Sequence, residues 1–377
     1  MRVLHVIATG ERRGAEMFAS ELVGSLTETG LDQRVVVLRG SKGVSVPFNA
    51  PVMALGSDSR RRLPGLRLDP AGVKSLRDVA RSWRPDVIQA HGGEALKHCV
   101  LFRSRGGSPI VYRRIGSAPP WVGGRMRRLA HGRIMRRAAR VVTLAEVLRR
   151  QTIEMYGLRP ERVLTIPRGV DPRRLEPSAQ RDEIRRSLGV RPDAKVILSL
   201  GALTREKDPV SHVHLAARVM REMPEAIHIL AGDGPLRDEV AATTARLGLA
   251  GRVLLLGNRG DVGDLLSASD VMILASRTEG MPGCLIEAGM AGLAAAAYAV
   301  AAVPEVVQDG RSGLLVRPGD LDGLTQCVLR LLTDENLRIS LGREARSWCL
   351  ARFDSRVISD TYLQLYRGLT SPNGEPE

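Results

Sequence analysis

Short β-branched and apolar runs alternate with longer helix-like stretches along almost the whole chain, and this alternation restricts the possible fold more than any other feature. RVLHVIA (2–8) is followed by GAEMFASELVGSLTETG (14–30), then by RVVVL (34–38), DVIQAH (86–91), PIVYRRI (109–115), RMRRLAHGRIMRRAA (125–139) and RVVTLA (140–145). Strand-length apolar runs separated by helix-length segments predict βαβ units and a parallel sheet. The pattern loosens through PRGVDPRRLEPSAQRDE (167–183), a polar stretch rich in Pro and Arg that reads as an interdomain linker. A second series follows in KVILSLG (195–201), AIHILAG (226–232), RVLLLG (252–257) and DVMILAS (270–276). A chain of 377 residues exceeds one ordinary core. The expected architecture is therefore α/β with two doubly wound domains and a cleft between them, one over 1–170 and the other over 171–354.

In such sheets ligands bind outside the carboxyl ends of the strands. ILSLGALTREK (197–207), HILAGDGP (228–235), LLLGNRGD (254–261) and ILASRTEG (273–280) all place Gly and polar residues at those ends, which identifies the ligand side of the second domain. The formal charge of +15 points to a different role for the first. Residues 1–170 hold 31 Lys+Arg against 13 Asp+Glu, a net of +18, leaving 25 against 28, a net of −3, for the rest. Such asymmetry implies an anionic partner for the first half. With aromatic residues at 3%, stacking platforms for single-stranded nucleic acid are few, so anionic lipid ranks above nucleic acid. RMRRLAHGRIMRRAAR (125–140) sharpens that reading: Met126, Leu129, Ala130, Ile134 and Ala138 are expected along one helical face, with seven arginines mostly around the other. This fits either a core-facing helix with a solvated basic surface or attachment to a lipid surface. Ser59-Arg60-Arg61-Arg62 adds charge to the same half. Cys99, Cys284, Cys327 and Cys349 lie far apart without C-x-x-C spacing, which favours neither a zinc site nor a disulfide framework and fits a reducing cytosol. The opening MRVLHVIATG is too short for a signal peptide, and no apolar run approaches the ~18 residues of a membrane span. The expected location is cytoplasmic, with peripheral attachment to the inner face of the membrane open to the basic half.

The second half contains SRTEGMPGCLIEAGMAG (276–292), where Glu279 and Glu287 stand eight positions apart among small and apolar residues. Glu279 follows a buried strand, Pro282 sits near the first turn of the next helix, and Glu287 lies about one turn inside it. Both carboxylates can then face one polar ligand. A helix N-terminus beside them favours phosphate, so the corner suits a ligand anionic at one end and hydroxylated at the other, which is the form of a nucleotide sugar.

At these residues the chain resembles the retaining GT-B glycosyltransferases of the family 4 type (glycosyl transferases group 1), whose hallmark is E-x7-E after a strand. AGDGPLRDEV (231–240), RVLLLGNRGDVGDLLSASDVMILASRTEGMP (252–282), VPEVVQDGRSGLLVRPGD (303–320), EKD (206–208), GVDPRRL (169–175) and RRGAE (12–16) occur in the family's order and spacing, so the resemblance covers nearly the whole chain. It implies a GT-B fold of two Rossmann-like domains, an acceptor-side one and a nucleotide-sugar-binding one, with a C-terminal helix over 355–370 packing back on the first. It also implies transfer of a sugar from a nucleoside diphosphate sugar to a glycan, lipid-linked or small-molecule acceptor, in making cell-envelope polysaccharide, glycolipid or secondary metabolites. The donor is a substrate, and neither a cofactor nor a metal is implied.

By matching position, the resemblance assigns the ribose hydroxyls to Glu287, the donor sugar hydroxyls to Glu279 and the diphosphate to Lys207. It places Gly14 in the loop after the first strand, and His91 at a strand end as a contact to the transferred sugar or the acceptor. Gly280, Met281, Gly201 and Asn258 complete the substrate-binding set, Met281 more as loop packing than as a sugar contact. Retention in this family is attributed to front-face attack without a protein nucleophile. The single D-x-D, Asp320-Leu321-Asp322, reads as a helix N-cap. Asp233 in GDGP reads as part of a turn, and His5, His131 and the other histidines as structural or surface residues.

Several positions depart from the family pattern, and each bears on phosphate handling. Ala202 stands in place of a diphosphate-clamping arginine, Ala301-Ala302 in place of Gly-Gly, and Arg13 in place of the first glycine of another such pair. Arg168 occupies the place of the asparagine in a common PNG, and Ala294 that of a proline. Arg205, or Arg13 itself, is the candidate replacement cation. These departures keep open a catalytically weak or inactive homologue acting as a partner subunit, and a nucleotide-sugar epimerase is the neighbouring activity on the same fold.

Overall fold

The computed structural model describes residues 1–11, 14–39, 44–55, 69–102, 107–115 and 124–371, apart from the side chains of 14, 15, 125 and 127. Arg13, the 59–62 basic run and the end of the polar tail lie outside the described residues. The chain divides into two units, Met1–Gly169 with Ser355–Glu377, and Val170–Asp354.

The first unit is built on a sheet of β1 (Arg2–Thr9), β2 (Asp32–Arg39), β3 (Val52–Ala54), β4 (Val87–His91), β5 (Ile110–Arg113), β6 (Arg140–Thr143) and β7 (Val163–Thr165). Their order is β3-β2-β1-β4-β5-β6-β7, with every pairing parallel. Val3, Leu4, Val6 and Ile7 on β1 are all buried, because helices cover both faces and alternation with polar residues would waste one of them. The helix Pro70–Trp83 shows how local sequence sets the boundaries. The Asp69 side chain accepts from the Ala71 N–H, Pro70 supplies a preset φ, and Arg84 closes the helix at φ 49°. The last helix, Ser355–Thr370, belongs to this unit: Ile358, Tyr362 and Tyr366 pack with Val3, Phe18, Leu22, Val87 and Val111, and Tyr366 donates to Gln89 Oε1 at 2.9 Å.

The second unit carries β8 (Val196–Leu200), β9 (Ile227–Ala231), β10 (Val253–Gly257), β11 (Val271–Leu274), β12 (Ala295–Tyr298) and β13 (Leu314–Val316), in the parallel order β10-β9-β8-β11-β12-β13. Each sheet reverses its strand order at one point, between β1 and β4 in the first unit and between β8 and β11 in the second. Loops leaving adjacent strands in opposite directions open a crevice there, which makes these two strand ends the candidate ligand positions.

Two local expectations need correction. The helix Arg125–Met135 does not present Met126, Leu129, Ala130, Ile134 and Ala138 as one face. Met126 is 84% and Leu129 50% exposed and Ala130 is exposed, whereas Ile134 is half-buried and Ala138 buried. The helix ends at Met135, so Ala138 falls in the turn before β6, and the helix packs inward through Gly132, where an added Cβ would lie 2.9 Å from the Tyr156 carbonyl oxygen. Gly14 is the first residue of the helix Gly14–Thr27 rather than a member of the preceding loop.

Candidate functional site

The second switch point gathers the loops after β8, β9, β10 and β11. Backbone bonds stitch them together: the Gly201 N–H donates to Ala231 O at 3.0 Å, the Gly232 N–H to Gly257 O at 2.7 Å and the Leu203 N–H to Asp233 O at 3.0 Å. Two glycines are obligatory for this fit. A Cβ on Gly232 (φ 149°) would collide with the Gly201 carbonyl, and one on Gly234 would lie 2.6 Å from Leu203 O. Asp233 has the turn role expected of it, accepting from the Gly234 N–H at 2.7 Å. Asp320 is the N-cap expected, accepting from the Gly323 N–H at 2.8 Å.

Lys207 lies in the loop that enters helix Pro209–Glu222, and Glu279 in the loop that leaves β11. Their side chains meet, Lys207 Nζ to Glu279 Oε1 at 2.6 Å, with Glu279 only 5% and Lys207 29% exposed. A carboxylate this buried depends on its cation: breaking such a pair leaves a charge without solvent, at a cost of about 3–5 kcal/mol. The two loops are also tied by the Arg277 N–H to Glu206 O at 2.8 Å and by Arg277 Nε to Asp208 Oδ2 at 2.9 Å. Asp208, at φ 48°, makes no side-chain cap to its own helix and turns its carboxylate to Arg277 instead.

Glu287 is half-buried in helix Gly283–Met290, one turn beyond Pro282. The intervening Cys284 reports the charges around it. Burial pushes its thiol up to about 12, with Lys207 pulling down and both Glu279 and Glu287 pushing up. Lys207 and Glu279 are therefore in direct contact, and they and Glu287 all lie near enough to Cys284 to act on its thiol. Gly280 is half-buried beside Glu279, Met281 is buried, and Gly201, Ala202, Arg205 and Asn258 are exposed on neighbouring loops. Arg205 makes no hydrogen bond or ion pair among the described residues, which leaves its guanidinium available.

Ala301 stands at φ 43°, in the left-handed region where the family pattern has glycine, and Ala302 is fully buried. Arg168 is engaged within the first unit, donating to Glu21 Oε1 at 3.1 Å. Ala294 is buried and offers its carbonyl to the Met272 N–H. A cavity of ≈ 490 Å³ lies by Asp270 and Ala294, which precede β11 and β12, at the opposite strand ends. Its cations are already matched, Arg181 by Asp270 at 2.6 Å and Arg338 by Glu335 at 3.3 Å, so size alone does not mark a site. Among the described residues no three His, Cys, Asp or Glu side chains cluster as metal ligands.

In the first unit, His91 ends β4 at the other switch point and is buried. No pattern in the sequence signals what holds it. Gln33 Nε2 donates to Val23 O and Thr27 Oγ1, which leaves its Oε1 as acceptor for His5 Nε2 at 3.0 Å. Burial lowers the His5 pKa to about 4, so the ring is neutral and its Nδ1 must accept. His91 Nε2 therefore donates to His5 Nδ1 at 3.2 Å. His91 is lowered well below 6.5, first by burial and then by His5 and Arg113, and is neutral too. Its Nδ1 is left as a buried lone pair without a hydrogen-bond partner among the described residues. The partners of this relay lie 28 and 86 positions apart, so no local motif could reveal it.

Residues 12–174 match the family model Glycosyltransferase Family 4, and residues 180–348 match Glycosyl transferases group 1. The chain is 30% identical to N-acetyl-alpha-D-glucosaminyl L-malate synthase of Bacillus anthracis over 184 residues, covering 49% of this chain and 48% of that one. That match therefore spans about half the length of each protein. It is 25% identical over 371 residues to the lipopolysaccharide core biosynthesis glycosyltransferase LpsE of Rhizobium meliloti, covering 97% of this chain and 98% of the relative. In fold it is similar to Anabaena HepE, solved in complex with UDP and glucose, with a TM-score of 0.80 at 22% identity over 97% of this chain and 99% of that one. The two family models account for both halves of the chain, and the likeness to solved structures extends across both sheets. The chain belongs to the GT-B glycosyltransferases of the family 4 type, the glycosyl transferases group 1.

Proposed function

We propose that this glycosyltransferase moves a sugar from a nucleoside diphosphate sugar to a glycan, lipid-linked or small-molecule acceptor with retention of anomeric configuration and without a metal. The observation that carries the reading is the Lys207–Glu279 pair at the β8/β11 switch point, with Glu287 one turn into the following helix. Lys207 exchanges part of its contact with Glu279 for the diphosphate, where a fixed cation stabilises the charge that grows on the leaving group. Glu279 and Gly280 bind hydroxyls of the donor sugar, and Glu287 binds the ribose hydroxyls. Gly201 and Asn258 border the nucleotide. Arg205 supplies the second cation in place of the arginine replaced by Ala202, because a diphosphate opposite one lysine is poorly compensated. His91 offers its Nδ1 lone pair to a hydroxyl of the transferred sugar or the acceptor.

Incubation with a panel of nucleoside diphosphate sugars, followed by NMR of the released sugar or product, tests the reading. Transfer or slow hydrolysis with retained configuration is expected, and inverted configuration overturns the stereochemical part. Ala202 and Ala301 favour a second reading, a weakened homologue that serves as a partner subunit. Nucleotide binding without any turnover selects it.

We infer further that the first unit attaches to anionic membrane surfaces. Exposed Met126 and Leu129 stand beside the exposed Arg128 and Arg133 on one helix, in the half that carries the excess positive charge. No helix among the described residues is long and apolar enough to cross a membrane. Cosedimentation with anionic vesicles should fall sharply as the Debye length shrinks from ~10 Å at 0.1 M to ~3 Å at 1 M salt. Binding indifferent to lipid charge contradicts the inference, and tight RNA or duplex binding redirects it to nucleic acid.

A further inference from the structure

Besides the Lys207–Glu279 pair itself, the segments that carry these two residues share a third tie, deeper than the two made by Arg277. His212 lies five residues after Lys207 on the buried stripe of helix Pro209–Glu222, with Leu215, Ala216 and Val219. Its Nε2 is 2.9 Å from the backbone N of Ala275, the residue that follows β11 and stands four before Glu279. A backbone N–H only donates, so Nε2 is the acceptor, and in a neutral ring the proton sits on Nδ1. Burial lowers the pKa of His212 to about 4, which keeps the ring neutral at any ordinary working pH.

The imidazole is a costly choice at this position. Nδ1 is buried with no hydrogen-bond partner among the described residues, and an unmatched buried donor forfeits its hydration without recompense. A leucine would fill the same apolar stripe without that cost. What the imidazole contributes in return is one directed bond to the end of β11. Of the three ties between the loops, the Arg277–Asp208 pair has an arginine side chain 73% exposed, so water and salt dilute it. The His212–Ala275 bond is buried and undiluted. His212 also lines the small cavity of ≈ 10 Å³ that Gly201, Ala202 and Lys207 border.

We propose that His212 is a positioning residue of the donor site: by holding the Ala275 N–H it fixes the strand end that leads to Glu279 against the helix that begins beyond Lys207. The proposal rests on the donor-site reading of Lys207 and Glu279. It requires no contact between His212 and the substrate and no change in its protonation.

Three substitutions separate the ring's two nitrogens. A glutamine amide reaches as far as Nε2, so His212→Gln can keep the bond to Ala275. An asparagine amide reaches only as far as Nδ1, so His212→Asn keeps a donor there and loses the tie. His212→Leu loses both. Displacing a reacting group by an ångström costs up to about a hundredfold, so kcat should fall about tenfold or more in the Asn and Leu variants, with donor KM little changed, while Gln stays near wild type. Comparing melting temperatures separates this from general destabilisation: Asn should melt below Gln by no more than the loss of one buried hydrogen bond, so a kcat loss measured well below the Asn melting temperature reports position and not unfolding. In the ligand-free protein, exchange of the Ala275 amide should accelerate in Asn and Leu but not in Gln. Histidine 15N shifts, assigned by the loss of a signal in His212→Leu, should show Nε2 unprotonated. Full turnover in Asn with loss in Gln overturns the proposal, as does wild-type turnover in all three. If the native protein neither binds nor turns over a nucleotide sugar in the panel, the donor-site reading fails and the positioning role fails with it. The amide exchange and nitrogen shifts then still decide, separately, whether the His212–Ala275 bond exists.

Discussion

The two sheets wind alike and each reverses strand order once, yet they furnish that point with different materials. In the first unit His91 stands at the switch point and is backed by further buried polar side chains from within the strands, His5, Gln33, Gln89 and Arg113, the last stacked 3.0 Å over the Phe18 ring. In the second it is lined by loop backbone, glycines and the ion pair of Lys207 and the buried Glu279. A buried network of polar side chains is specific but intolerant, because each lost partner strands another buried polar atom. A site made of loops held by backbone bonds presents charged groups without burying a network.

The largest effect should be common to both units. His5 and His212 are lowered to about 4, His228 to about 3 and His91 well below its ordinary value, in each case chiefly by burial. The unfolded chain takes up these protons near 6.5 and the folded chain only at much lower pH, so the contribution to stability is complete above about pH 6.5 and is lost as the pH falls toward 4. For each of these histidines, a pKa one pH unit lower in the folded chain contributes about 1.4 kcal/mol. Thermal melts across that range should show a steep acid decline, and a flat profile would mean the histidines are solvated.

Lys207→Ala probes the difference between the two switch points next. Turnover should fall about 100-fold or more through loss of the charge facing the diphosphate. Stability should fall as well, because Glu279 stays buried without its cation. Adding Glu279→Gln should restore much of the stability and none of the activity, and kinetics with melts on the single and double variants check both. Glu287→Ala should leave the fold intact and weaken nucleotide binding by about 1–3 kcal/mol, as for one truncated partner of a buried hydrogen bond. Calorimetric titration reads it, and unchanged affinity removes Glu287 from the site. The smallest effect concerns loop backbone alone. Ala301→Gly relieves a left-handed conformation costing about 1–2 kcal/mol and gives back about 0.5–1 kcal/mol in chain entropy, for a small net gain in melting temperature.

The same contrast separates what is legible in the sequence from what is not. The strands with several β-branched residues were legible, whereas Ala295–Tyr298, Val163–Thr165, Leu314–Val316 and Val52–Ala54 were not. AAAY is a strand because it pairs between β11 and β13, not by propensity. The second-unit site was largely legible because its parts lie within short segments whose spacing already implies strand, loop and helix. The Gln33–His5–His91 relay and the His212–Ala275 bond were not, because their partners meet only through sheet pairing or helix packing. His212 left one trace, a polar residue on an otherwise apolar helical stripe. Helix Arg125–Met135 shows the converse failure, since periodicity cannot say which side faces the core when Gly132 permits a close approach.

The most direct test of the donor site is release of nucleoside diphosphate from a panel of UDP-, ADP-, GDP- and dTDP-sugars by the full chain, with Lys207→Arg and Lys207→Ala run alongside. The native protein should consume at least one donor, Lys207→Arg should retain part of the rate, and Lys207→Ala should retain almost none. A Lys207→Ala protein as active as the native one would contradict the assignment of Lys207 to the diphosphate and, with it, the site built around that residue.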